Sequence, residues 1–277
     1  MAHRATICIL VSVLWIGGAV PAAAAPIQLA AHRAVYDISL KSANDRSGIT
    51  GASGRMVVEV TGSECEGWSI GFRIVNQFTL SAGRSRTVDS RSSSWEAGDG
   101  SSMRYAQRQY VDTRLEEETL VSADAGKGGG EGSGKTSKPK EEVFKLPARI
   151  VFPVAHQKHL IEQARLGETR DESLVYDGSE GSKTLLAITF IGLRSEQPLP
   201  DSVKGDAASA LKSVPSWPVT LSYYPSGPGA GEETPAHQIS FRMYDNGIAG
   251  DLVMNYSEFS LAGKLASVDI LKQPTCP

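Results

Sequence analysis

Beyond residue 20 the sequence lacks any apolar run long enough to cross a membrane as a helix, has no surplus of basic residues, and holds only two cysteines. Each shortage excludes something. A spanning helix needs about 20 consecutive apolar residues, and the one run that stands out, Ile7 to Val20, falls short of that. It follows His3 and Arg4 and ends in Pro21 and the alanines 22–25, so it has the basic start, apolar middle and A-x-A end of a secretory signal peptide. Cleavage is expected after Ala24, because a cut after Ala25 would leave Pro26 directly behind the scissile bond. Cys8 lies inside the apolar run and not at its end, where a lipoprotein cysteine must sit, so it leaves with the signal. The mature chain is therefore expected to be periplasmic, with no transmembrane anchor.

The missing basic surplus excludes another class of partner. Lys and Arg number 28 against 31 Asp and Glu, a net charge of −3, and loss of Arg4 with residues 1–24 makes it −4. Nucleic acid and anionic membranes call for clustered cations instead. Scarcity of cysteine points to structure over redox chemistry. After processing only Cys65 and Cys276 remain, with no C-x-x-C. In an exported chain they most simply form one disulfide, the alternatives being two free thiols or an intermolecular bond.

What is present is a β rhythm. Segments rich in β-branched and aromatic residues recur at 34–41, 55–61, 69–76, 84–93, 103–111, 114–121, 141–146, 172–176, 183–192, 219–224, 238–244, 248–256 and 260–271. Many alternate with period two, as Ile70, Phe72 and Ile74 do against Arg73, which predicts antiparallel strands with one buried and one wet face. Asn246-Gly247 is the strongest hairpin signal, read as a tight primed turn. A helix of about 12 residues is predicted between Pro153 and Gly167, and a shorter one over 206–211. Two helices that do not alternate with strands disfavour a parallel βαβ sheet. The Gly-, Ser- and Lys-rich stretch 122–140 is expected to be a flexible loop, and 226–235 has the same character.

Two motif matches fail in context. Gly129 to Thr136 satisfies G-x-x-x-x-G-K-[ST], but no apolar strand leads into it and Pro139 follows, so it reads as linker and no nucleotide cofactor is expected. Gly67-Trp68-Ser69-Ile70-Gly71 matches the nucleophile elbow G-x-S-x-G, yet an alternating strand follows where a helix is required. His156 and His159 have no H-E-x-x-H partner, and His32 and His237 lie in unrelated segments, so no metal site is expected. Glu116, Glu117 and Glu118 read as a solvated edge. Trp68, Trp95, Trp217, Tyr223 and Tyr224 are expected in the core; lining a lipid trough is the alternative. Nothing in the sequence assembles a catalytic residue set.

Several segments together resemble the EipB family of cell envelope integrity proteins. They are Ala31-His32-Arg33-Ala34-Val35-Tyr36-Asp37-Ile38-Ser39-Leu40, Gly54-Arg55-Met56, Cys65-Glu66-Gly67-Trp68, Trp217-Pro218-Val219, the run Phe241 to Gly247, and Cys276. The resemblance spans nearly the whole mature chain, weakest at 122–140. It implies one domain over 25–277, mainly β, whose antiparallel sheet of about 14 strands curls into an open spiral or barrel around one or two short helices. It also implies a disulfide between Cys65 and Cys276 and a non-enzymatic role in envelope integrity under stress. A periplasmic tetratricopeptide-repeat protein or an envelope component would be the partner. The implied shape is similar to that of lipoprotein and lipid carriers, which makes carriage of an apolar ligand the alternative function.

Overall fold

Alternation of period two organises most of the chain in the computed structural model, which describes residues 26–276 apart from 82, 196–198, 200–202, 204–205 and 227–233. The expected signal peptide lies outside the described residues, as does most of the 226–235 loop. The strands are β1 (His32–Ala43), β2 (Ile49–Ser63), β3 (Gly67–Leu80), β4 (Ser85–Glu96), β5 (Ser102–Val111), β6 (Arg114–Asp124) and β7 (Gly132–Lys138). They continue with β8 (Glu142–Leu146), β9 (Arg170–Val175), β10 (Leu185–Ile191), β11 (Ser216–Pro225), β12 (His237–Tyr244), β13 (Ala249–Asn255) and β14 (Phe259–Ile270). Helix α1 (Pro153–Leu166) follows β8, and α2 (Asp206–Leu211) follows β10. In β1 the residues His32, Ala34, Tyr36 and Ile38 are buried while Arg33, Asp37 and Ser39 are exposed, the signature of a sheet wet on one side.

All fourteen strands form one antiparallel sheet in the order β8-β7-β6-β5-β4-β3-β2-β1-β14-β13-β12-β11-β10-β9. The first and last strands pair at its centre, and β8 and β9 are its free ends. Those ends meet without closing a barrel. One parallel bridge joins them, in which the Val151 N–H donates to Leu174 O at 2.9 Å and the Tyr176 N–H donates to Val151 O at 3.0 Å. A buried cluster of Met103, Val121, Ala123, Leu146, Phe152 and Tyr176 fills this junction. The sheet is thus a mainly β, open spiral, as expected.

The helices fill the spiral's apolar side. Val154, Leu160, Ile161 and Ala164 form the buried stripe of α1 and pack with Trp68, Val175, Ala187 and Trp217. Gly167 ends the helix at φ 80°, a left-handed conformation that costs glycine no clash, and its N–H closes on Ala164 O. Leu211 of α2 joins the other core, around Tyr36, Tyr244, Leu261 and Leu265.

Two expectations need correction. The stretch 122–140 is not a flexible loop: β6 runs on to Asp124, and after one 3-10 turn at Lys127–Gly129 the chain forms β7, hydrogen-bonded to β6 and β8. Its inward positions are small because the space is taken. A Cβ on Gly134 would stand 2.3 Å from the Phe144 ring. The hairpin at Asn246-Gly247 exists between β12 and β13, but only Gly247 takes positive φ (83°), so the turn is not the primed type. The Tyr244 N–H donates to Ile248 O across a three-residue loop, a geometry in which a single left-handed residue suffices.

Candidate functional site

Helix α1 is held at both ends by residues distant in sequence. Phe152 offers no capping side chain, and the buried Glu96 at the end of β4 takes that role: its Oε2 accepts from the Val154 N–H and its Oε1 from the Ala155 N–H, each at 2.8 Å. Burial pushes the Glu96 carboxyl up to about 7, opposed by those two amides and by Lys158. Lys158 itself reaches Glu64 at 2.7 Å and lies 5.5 Å over the Trp68 ring. At the far end Arg165 grips Asp245 with two bonds of 2.7 and 2.8 Å.

The two helix histidines converge on β9. His159 Nε2 is 2.8 Å from Asp171 Oδ1, and the Ser173 hydroxyl donates to Oδ2 at 2.8 Å. His156 Nε2 stands 3.8 Å from that same Oδ2 and has no hydrogen-bond partner. His156, Ser173 and His159 hold the Asp171 carboxyl well below the usual carboxylate range against the cost of its burial. Among the described residues no three His, Cys, Asp or Glu side chains are arranged to hold a metal ion. His32 is buried and bonded to Ala30 O, and His237 stacks on Tyr223 at 4.6 Å.

Cys65 and Cys276 are joined by a disulfide with Cα atoms 5.7 Å apart, tying the turn between β2 and β3 to the tail beyond β14. Ser69 of the G-x-S-x-G match is an exposed residue near the start of β3, which continues as strand to Leu80, and Lys135 and Thr136 of the P-loop match lie in β7. Glu116 and Glu118 pair with Arg114 and Arg108 where β6 has no second neighbour, as a solvated edge does. The five aromatics divide between the two faces of the sheet. Trp68, Trp217 and Tyr223 belong to one interior cluster, with Tyr223 stacked on His237, while Trp95 lies on the outer face and Tyr224 follows Tyr223 in β11 on the face opposite to it.

That outer face carries an open cleft. Register across β3–β6 lines up Gly71, Ser93, Ala106 and Leu120 in one row. Two residues to one side the row is Ser69, Trp95, Arg104 and Ser122; two to the other it is Arg73, Arg91, Arg108 and Glu118. Small side chains between large ones leave a recess of about 540 Å³ beside Trp95 and Arg104, continuous through Ser93, Ala106 and Leu120 with one of about 320 Å³ beside Arg91 and Tyr110. The Arg104 guanidinium lies 5.8 Å over the Trp95 ring, and that of Arg91 5.0 Å over Tyr110. The Trp95 indole rests against Gly67, where a Cβ would stand 2.8 Å from the ring, and its Nε1 donates to Glu66 O at 3.3 Å. Asp89 receives both Arg91 and Arg73, which hold its carboxyl down at about 2.

Sequence reasoning missed Glu96, Arg104 and Tyr110. One signal was available for the arginines: residues 73–114 hold seven of them and no lysine. Arg's planar fork suits carboxylate and phosphate recognition better than the point charge of Lys.

Residues 23–272 match the model of the EipB-like family. The chain is 35% identical over 259 residues to the cell envelope integrity protein EipB of Brucella abortus strain 2308, covering 93% of this chain and 90% of that protein. It also superposes on the crystal structure of a β-barrel-like protein of a domain of unknown function from Brucella abortus. That comparison gives a TM-score of 0.80 and 32% identity, over 89% of this chain and all of the other.

Proposed function

The chain belongs to the EipB-like family, and from that premise we propose that it is an exported periplasmic protein that maintains the integrity of the cell envelope by binding. The observation that carries this reading is the match to a named envelope integrity protein along 93% of the chain, at one fold. The family is named for envelope integrity and not for a reaction. An exported location is supported by the leader read from residues 1–24, and no described helix is long and apolar enough to cross a membrane. Its partners are envelope components or a periplasmic tetratricopeptide-repeat protein, captured by crosslinking in intact cells.

Deleting the gene tests the role directly. Loss of viability in detergent, restored by the full chain but not by a chain lacking residues 1–24, is the expected result; a deletion strain as resistant as its parent overturns it. Carriage of an apolar ligand is the second reading, favoured by the inward Val58, Ile70 and Phe72, which the interior covers only partly. Lipid mass spectrometry of protein purified from envelopes separates the two, since a carrier brings stoichiometric lipid with it.

A further inference from the structure

We propose that the recess across the outer face of β3–β6 is the binding site for a carboxylate-bearing glycan chain of the cell wall, gripped by Arg104 and Trp95. The inference rests on the envelope reading above and names the ligand. Three observations support it together. The recess holds an indole and a phenol ring, each carrying a guanidinium over its face. Hydroxyls of Ser69, Ser93 and Ser122 line it and are exposed, ready to exchange water for sugar hydroxyls. Arg104 is the cation left over: among the described residues Arg73 and Arg91 share Asp89, Arg108 pairs with Glu118, and no carboxylate pairs with Arg104.

Charge and shape decide between ligand classes. One uncommitted guanidinium suits one carboxylate per binding unit, because a bidentate Arg–carboxylate pair is directional as well as strong. A heavily phosphorylated saccharide or a nucleic acid would need a run of unpaired cations, whereas the other arginines lining the recess, Arg91 and Arg108, are already engaged and Glu59 lines it with a negative charge. A bilayer is flat and cannot reach Gly71, Ser93 and Ala106 at the floor between projecting rows. A single polysaccharide chain can.

The test is co-sedimentation of the processed protein with purified peptidoglycan sacculi, with lipopolysaccharide and dioleoyl-phosphatidylglycerol vesicles as parallel probes. Wild type is expected to pellet with sacculi and not with the other two. Arg104→Glu should weaken that binding about tenfold or more, as loss of a charge-assisted hydrogen bond predicts. Gly71→Tyr is the second variant. A Cβ there meets only Glu59 Cβ at 4.0 Å and the φ is not left-handed, so the strand accepts the side chain while the recess is filled. Melting temperatures equal to wild type show that both variants fold. The proposal is overturned if wild type stays in the supernatant, if it prefers lipopolysaccharide or vesicles, or if folded variants pellet as wild type does. Sacculus binding is measured without cells, so its failure leaves the detergent phenotype standing, and a silent deletion leaves the binding result standing.

Discussion

Replacing Cys65 or Cys276 by serine should lower the melting temperature by about 5–15 °C, and the number follows from how the bridge is placed. The two residues are 211 apart in sequence. Chain-entropy arguments give a cross-link of that span about 5 kcal/mol, as an upper bound that residual structure in the unfolded chain reduces. For a domain of this size each kcal/mol is worth about 2–4 °C. The native sheet does not depend on the bond for its connectivity, since β14 is paired along its length with β1 and again with β13. The effect should therefore act through the unfolded state, and the steepness of urea unfolding should rise in the serine variants as that state expands. Thermal scans by circular dichroism of wild type, Cys65→Ser, Cys276→Ser, the double variant and wild type in dithiothreitol make the comparison. The four unbridged samples should melt together and below oxidised wild type. Coincident melting of all five would refute the reasoning, and so would a double variant clearly less stable than the singles.

Two other perturbations probe the scaffold. Burial raises Glu96 from its ordinary 4.5 to about 7, so the protonated form favours the fold; its contribution is complete below about 4.5 and is lost as pH climbs through about 7. Wild type should lose melting temperature from pH 5 to pH 8 relative to Glu96→Gln, and parallel curves for the two proteins would contradict this. Gly54→Ala and Gly71→Ala, seventeen positions apart on neighbouring strands, should behave oppositely in thermal scans. The first puts a Cβ 2.2 Å from Val75 O and should cost several degrees, while the second makes only an ordinary contact with Glu59 Cβ at 4.0 Å and should change little.

How much of this was legible in the sequence depended on whether the signal was local. Alternation of apolar and polar residues is local, so the strands through Tyr36, Phe72 and Leu221 could be read directly, as could the helix between Pro153 and Gly167. Strand β7 was invisible because its inward positions are Gly132, pressed against Asp124 O, Gly134, pressed against the Phe144 ring, and Thr136, and a strand built of Gly, Ser, Lys and Thr looks like a linker. Glu96 was missed for a different reason. Its partners, the amides of Val154 and Ala155, are almost sixty residues away, and a cap of that kind leaves no trace near the helix it serves. The recess was hidden in the same way. Gly71, Ser93, Ala106 and Leu120 come into line only when the register of three strand pairs is known, and the face on which Trp95 lies, opposite to Trp68, follows from that register too.

The arginine pattern is what makes the outer face of β3–β6 look selected for recognition over stability. Exposed ion pairs contribute little to folding, typically below about 1 kcal/mol each. Arg91, Arg108 and Arg73 keep about half or more of their side-chain surface in solvent even when paired. The rest of the chain uses lysine freely, with twelve outside residues 73–114, whereas Arg73 holds both oxygens of Asp89 through a fork that lysine lacks. Inside that stretch every cation is Arg, two of them stacked on aromatic rings, in a chain whose overall charge is negative. The inner face of β3 and β4 helps to seat α1, through Trp68 and Glu96, while the outer face carrying Trp95 and Arg104 holds no part of that packing and is free to present a surface. Local cationic character with planar forks, placed where the fold does not need it, is the arrangement a surface takes when its purpose is to hold an anionic group in one orientation.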